Sequence, residues 1–257
     1  MKRFHLVRAS FFCGLVMCDD LPAQDNNPSL LLNPQSAFVA STSIATKVTQ
    51  VTLGPQVDGR ELSFVSPEIL VHKNTDQAEF ISAVWKDASG LLTHQRDVLV
   101  VKPDYAVVVD YLYDKGEHGV ARSFVFPPGK LAADGNGVQV ALDGGKNLRV
   151  QPIVPAGAEG APALLGQAAS FSAKVTAPVP LATALVTWTG NAAPKIIYVK
   201  PANPMIVKLQ VTFPDGRVDE AALSWEVRPL HLSGKEFKGW AACLRQGPSG
   251  TSSIEIN

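Results

Sequence analysis

Cysteine is scarce, charge is sparse and balanced, and no apolar run is long enough to cross a bilayer. Only Cys13, Cys18 and Cys243 occur, in no Cys/His spacing that resembles a zinc finger. Basic and acidic residues number 23 each. The chain therefore lacks the basic patch and high pI of a nucleic-acid binder, and it carries neither a polybasic run nor an acidic tail. No apolar stretch approaches the roughly 18–20 residues of a membrane-spanning helix. Also missing are the G-x-S-x-G elbow, the phosphate-cradling G-x-x-x-x-G-K-S/T loop, the H-E-x-x-H motif and the Rossmann glycine fingerprint. Asp58-Gly59, Asp134-Gly135, Asp143-Gly144 and Asp215-Gly216 read as turns, because the D-x-D-x-D-G spacing of a calcium loop is absent. No repeat of fixed period is present.

What the chain has is β-type sequence and turn formers. Its 257 residues include 19 prolines and 20 glycines, enough length for one large all-β domain with a substantial core. Short runs over Ala37–Ser41, Lys47–Leu53, Glu61–Val65, Glu68–Lys73 and Glu79–Lys86 are separated by Gly54-Pro55, Asp58-Gly59 and Asn74-Thr75. Glycine permits positive φ and proline presets the first turn position, so these dipeptides punctuate strands. Spacing of about 8–12 residues predicts an antiparallel, multi-stranded β-sandwich rather than βαβ units. Leu181–Thr189 and Lys195–Lys200 continue the theme. Val207, Leu209, Val211 and Phe213 alternate with Lys208, Gln210 and Thr212, and after Pro214-Asp215-Gly216 the residues Leu223, Trp225 and Val227 are expected to face inward.

The ends read differently. Lys2, Arg3 and Arg8 precede a short apolar centre, and a small residue follows at Ala23. That order predicts a signal peptide over 1–23, hence export to a periplasm or the medium. Cys18 after Leu15-Val16-Met17 is faintly like a lipobox. Residues 24–35 read as a polar linker, 36–230 as the sandwich, and Pro155–Ala169 as a long surface excursion. Over 231–257, Ser233-Gly-Lys-Glu236 has capping-box spacing, and Phe237, Trp240, Ala241 and Leu244 share a helical face before Gly247-Pro248. A short C-terminal helix with a frayed tail is expected. Cys243 is expected to be a small buried residue rather than a nucleophile.

The stretch Thr93–Gly129 holds the polar groups that look misplaced. His94, Arg96 and Asp110 lie within runs otherwise fit for a sheet core, and a buried charge needs a partner. Lys102-Pro103-Asp104 breaks the two apolar runs and predicts a hairpin. A two-residue loop would set Asp97 against Asp110, two like charges face to face. A three-residue loop pairs Val101 with Tyr105, and so Arg96 with Asp110 and His94 with Leu112. On that register His94, Arg96 and Asp110 share a face with Val98, Val100 and Val108, while Asp97, Val107, Val109, Tyr111 and Tyr113 occupy the other. The residues admit two readings. One is an Arg96–Asp110 ion pair that fixes two strands. The other is a site in which His94 and Asp110, with His118, hold a divalent metal such as zinc or an acidic ligand.

His94-Gln-Arg96-Asp-Val-Leu-Val-Val, then Asp104-Tyr-Ala-Val-Val-Val-Asp110, then His118, resembles the β-sheet domain of heparinase II/III-like polysaccharide lyases over about Ala78 to Gly129. That resemblance implies a sandwich packed on a helical (α/α) toroid, with a cleft for uronic-acid polysaccharide cleaved by β-elimination. A base removes the proton beside the uronate carboxylate, whose charge must be neutralised, while the leaving oxygen is protonated. It further implies His94 facing the cleft as a catalytic group, Arg96 at the acidic polysaccharide, and a structural metal at Asp110 and His118. The chain departs from the family pattern in two respects. No long helical region precedes Ala78, so the toroid that carries the usual catalytic residues is expected as a separate partner. Phe124-Val125-Phe126 also replaces a histidine on the following strand. The competing readings are a non-catalytic carbohydrate-binding sandwich, which requires exposed aromatics among Trp85, Trp188, Trp225 and Trp240, and a purely structural one.

Overall fold

A computed structural model of the chain describes residues 38–39, 49–51, 56–61, 68–86, 93–126, 129–153 and 161–257. The expected signal peptide and linker lie outside these residues, as does most of the strand expected over Glu61–Val65.

The described residues are almost entirely strand. In chain order they are β1 (Phe38–Val39), β2 (Thr49–Val51), β3 (Gln56–Val57), β4 (Arg60–Glu61), β5 (Glu68–Asn74) and β6 (Ala78–Lys86). Then follow β7 (Thr93–Val101), β8 (Tyr105–Val125), β9 (Leu131–Asp134), β10 (Gly137–Leu142), β11 (Lys146–Ile153) and β12 (Ala163–Leu165). The last six are β13 (Ala168–Thr189), β14 (Lys195–Tyr198), β15 (Ile206–Thr212), β16 (Val218–Leu232), β17 (Lys235–Gly247) and β18 (Gly250–Ile256). One sheet runs β5-β6-β7-β8-β13-β11-β10-β9, with the short strands at its margins, and the other runs β14 to β18 in order. β12 turns part of the expected Pro155–Ala169 excursion into a hairpin against β13.

The sheets face each other across one core. Phe80, Leu99, Val107, Val109, Tyr111 and Ala184 from the larger sheet meet Val207, Leu209, Leu223, Ala241 and Cys243 from the smaller. Alternation along β7 and β8 sends every second side chain to the opposite face, where Val98, Val100 and Val108 join Phe124, Phe171, Val138 and Leu148 in a second core. Val108 and Phe124 belong to one strand, so the 21-residue β8 and its partner β13 fold back over their own sheet. The ribbon bends where the β8–β13 register shifts between Ala177 and Val179. There Gly116 takes a φ of 109°, in the region that favours glycine. Burial on both faces explains why Val98–Val101 and Ala106–Val109 are continuous apolar runs.

The sandwich is also tied at one end by charge. Asp104, the last residue of the β7–β8 loop, pairs with Arg217 and Arg245 of the smaller sheet, each at 2.9 Å. Arg245 reaches on to the fully buried Asp219 at 3.1 Å. Arg217 lies over the Phe213 ring at 3.8 Å.

Two expectations are corrected. The C-terminal helix is absent: Ser233 and Gly234 take φ of 42° and 77° and form the two-residue turn between β16 and β17, with Leu232 paired to Lys235. Two consecutive positive φ values suit a tight hairpin and not a helix start. The Ser233 hydroxyl and amide donate to Glu220 at 2.6 and 3.0 Å instead of capping. The tail forms β18. In β16 the alternation fails after Leu223: the register with β17 shifts between Leu223 and Arg228, Trp225 is half-buried and Val227 is exposed.

Candidate functional site

The β7–β8 hairpin has the three-residue loop. Val101 pairs with Tyr105, Arg96 with Asp110 and His94 with Leu112. Because Arg96 and Asp110 are direct cross-strand partners, the guanidinium grips both carboxylate oxygens. Nε donates to Oδ1 at 2.7 Å and Nη2 to Oδ2 at 3.1 Å. His94 Nε2 lies 2.7 Å from the same Oδ1. The three are 2 %, 8 % and 2 % exposed for His94, Arg96 and Asp110. They lie beneath the folded ribbon rather than at an open rim.

Electrostatics follow from that burial. Desolvation pushes the Asp110 carboxyl up, but Arg96 and then His94 outweigh it and hold it well below the usual carboxylate range. Burial lowers His94 more than the Asp110 carboxylate raises it, so its imidazole is neutral near pH 7. The unit is an ion pair with a neutral histidine.

Arg122 was not singled out from the sequence, yet the bend in the ribbon brings it to the same face. It is 3 % exposed, and its Nη1 donates to Thr183 Oγ1 at 2.6 Å. Thr183 pairs with Val108, and Leu181, two residues away, pairs with Asp110. The available signal was parity: Arg122 falls between Val120 and Phe124 on an apolar face.

His118 does not join the others. Beyond the bend, its Nδ1 meets Asp58 Oδ2 at 2.9 Å, while Nε2 faces the Lys115 carbonyl at 3.3 Å and Asp114 at 3.7 Å. Asp58 also accepts from the Gly119 amide at 2.8 Å, clamping the β3–β4 turn onto β8. The two carboxylates sit against different ring nitrogens, so one ion cannot be held by the imidazole and both. At Asp110 a bidentate guanidinium occupies both oxygens and places positive charge where an ion would sit. These residues do not fit a divalent metal, and the described residues contain no group of three or more His, Cys, Asp or Glu that could hold one.

Of the candidate tryptophans, Trp188, Trp225 and Trp240 are all half-buried, and the side chain of Trp85 lies outside what is described. Cys243 is buried 3.4 Å from Tyr105 Oη, and burial pushes its thiol up to about 12. No described helix is long and apolar enough to cross a membrane.

No family model matches the chain, and no curated protein matches it in sequence. Solved structures do. Heparan sulfate lyase HepC from Pedobacter heparinus superposes with a TM-score of 0.56 at 13% identity, over 76% of this chain and 35% of that one. A HepC mutant gives 0.53 at 14% identity, over 70% and 31%. A crystal structure of heparinase III gives 0.52 at 15% identity, over 66% and 29%. The chain thus has a β-sandwich fold found within heparinase-type lyases, and it spans about a third of their length. The resemblance carried by the central hairpin holds at the level of fold.

Proposed function

We propose that this chain is the sandwich domain of a heparinase II/III-like polysaccharide lyase, which takes part in β-elimination of a uronic-acid polysaccharide together with a helical toroid. The observation that carries the reading is the shared fold with HepC and heparinase III over only about a third of those chains. The His94-x-Arg96 strand and its cross-strand Asp110 add to it.

The site's geometry supports a structural part for the sandwich. His94 is 2 % exposed with its Nε2 held 2.7 Å from Asp110, so this chain alone presents neither its proton nor its lone pair to a substrate. Asp110 spends its charge on Arg96. The hairpin therefore acts as a rigid wall for the cleft, and proton transfer falls to the toroid. The basic-apolar start supports export, which amino-terminal sequencing of the chain recovered from a Gram-negative host's periplasm would test.

The elimination assay tests the main reading. The purified chain is incubated with heparan sulfate, alginate and other uronic-acid polymers, with ultraviolet detection of the unsaturated sugar end. It is run alone and with a separately produced toroid from a heparinase III-type lyase. Product only with the toroid supports the proposal. Product from the chain alone, abolished in His94→Ala, overturns the assignment of roles. Neither product nor retention on any polymer with the toroid present overturns the lyase reading. A binding-only sandwich finds less support, since none of Trp188, Trp225 and Trp240 stands exposed as a sugar platform.

A further inference from the structure

Behind the Arg96–Asp110 pair, on the face between the sheets, lies a second polar group that the lyase reading does not use. Asp97, Ser82 and Tyr111 are fully buried and Gln95 is 3 % exposed. Gln95 is the hub. Its Nε2 faces three acceptors: Asp97 Oδ1 at 3.0 Å, Ser82 Oγ at 3.1 Å and the Trp225 carbonyl of the opposite sheet at 3.1 Å. Its Oε1 accepts from Tyr113 Oη at 2.6 Å. A primary amide has two protons to donate, so three acceptors compete for them. Asp97 Oδ2 and Tyr111 Oη have no hydrogen-bond partner. They sit on diagonal positions of one face, since Asp97 pairs with Val109 and Tyr111 with Gln95.

The surroundings hold no cation for Asp97 among the described residues. β6 offers Ser82, β7 offers Gln95, and β8 offers Tyr111 and Tyr113. From β16 come Trp225, Glu226 and Arg228, but Arg228 is paired with Glu226 and stacked on the Trp225 ring at 4.3 Å. Arg96 and Asp110 occupy the other face of the sheet. An ionised carboxylate there leaves one charged oxygen undonated in the interior, which is costly.

We infer that Asp97 is a proton-controlled latch between the two sheets. As a neutral acid it makes little demand on Gln95, whose amide then reaches Trp225 across the seam. Once ionised, it holds the Gln95 proton more strongly and draws water toward Oδ2, weakening the bond to the β16 bulge. Burial pushes its carboxyl up to about 7, with the neighbouring Ser82 hydroxyl and the Gln95 amide opposing and Asp110 adding to the rise. The folded value exceeds the unfolded one. Its stability contribution is therefore complete below about 3.8 and is lost as pH rises through about 7. This inference stands apart from the lyase reading.

The experiment is urea unfolding of the full chain between pH 4 and 8, wild type against Asp97→Asn, with infrared detection of a protonated carboxylic acid. Across that range the unfolding constant of wild type should rise on the order of 10²–10³-fold more than that of Asp97→Asn, about tenfold per unit of raised pKa. An acid carbonyl band at pH 5.5 should vanish in the variant. Identical pH dependence in both proteins, or no band assignable to Asp97, overturns the latch. If Asp97→Asn does not fold, Gln95→Leu replaces it: loss of the donor should move the wild-type acid titration to higher pH, and an unmoved titration overturns the inference.

Discussion

Arg96 and Asp110, 14 residues apart in sequence, close on each other through two parallel hydrogen bonds, Nε to Oδ1 and Nη2 to Oδ2, while His94 shares Oδ1. Removing Arg96 leaves the buried Asp110 charge with only the His94 hydrogen bond against it. Arg96→Met should cost about 3–5 kcal/mol in urea unfolding. The double variant Arg96→Met/Asp110→Leu should recover much of that loss, because no orphan charge remains. A double variant no more stable than Arg96→Met would show that the pair is not the source of the cost.

Gly234 distinguishes hairpin from helix by the sign of one substitution. In the turn its φ is 77°, so Gly234→Ala should lower stability by about 1 kcal/mol. Near the start of a helix the same change would raise it by a similar amount. A thermal melt of the two proteins reads the sign directly.

His118 should titrate above an ordinary histidine, chiefly because of its hydrogen bond to Asp58. Its folded value exceeds the unfolded one. The stabilisation is then present below about 6.5 and disappears as pH climbs through the raised value. Imidazole proton resonances followed against pH should show the midpoint fall in Asp58→Asn. Equal midpoints would remove the Asp58 clamp as the cause.

Arg245 should matter more than Arg217 to the joint between the sheets. It holds the buried Asp219 at 3.1 Å, whereas the contact from Arg217 is 3.7 Å. Loss of Arg245 leaves Asp219 with only the longer Arg217 contact, at a cost approaching the roughly 3–5 kcal/mol of an orphaned interior charge. Arg245→Met should therefore lower the urea midpoint further than Arg217→Met, and the reverse order would assign the main grip to Arg217.

Much of the central hairpin was legible because one repulsion decided it. Asp97 facing Asp110 excluded the even loop, and the remaining register fixed which residues share each face. Alternation along β15 was equally plain. The β16 bulge left a weaker mark: Leu223, Trp225 and Val227 continue the period through the shift between Leu223 and Arg228, and its punctuation is Pro229 just beyond and Gly239 on the partner strand. The C-terminal error arose because Ser-Gly serves both a capping box and a tight turn. Helical spacing over Phe237, Trp240 and Leu244 coincided with a face change in the strand, since Phe237 and Leu244, an odd number of residues apart, share one core while Trp240, Ala241 and Cys243 pack in the other. His118 was misplaced because its partner, Asp58, comes from a distant turn that local pattern cannot bring near. Arg122 needed the ribbon's bend.

The shared ribbon also sets how the molecule comes apart. β8 and β13 contribute Val107 and Ala184 to the core between the sheets, and Val108 and Leu185 to the core beneath the fold-back. Pulling either strand out strips both interiors in one motion. The slowest-exchanging amides should thus form a single band along Tyr105–Leu112 and Leu181–Val186, released together at one opening energy, with β5 and β14 at the sheet margins fraying well before.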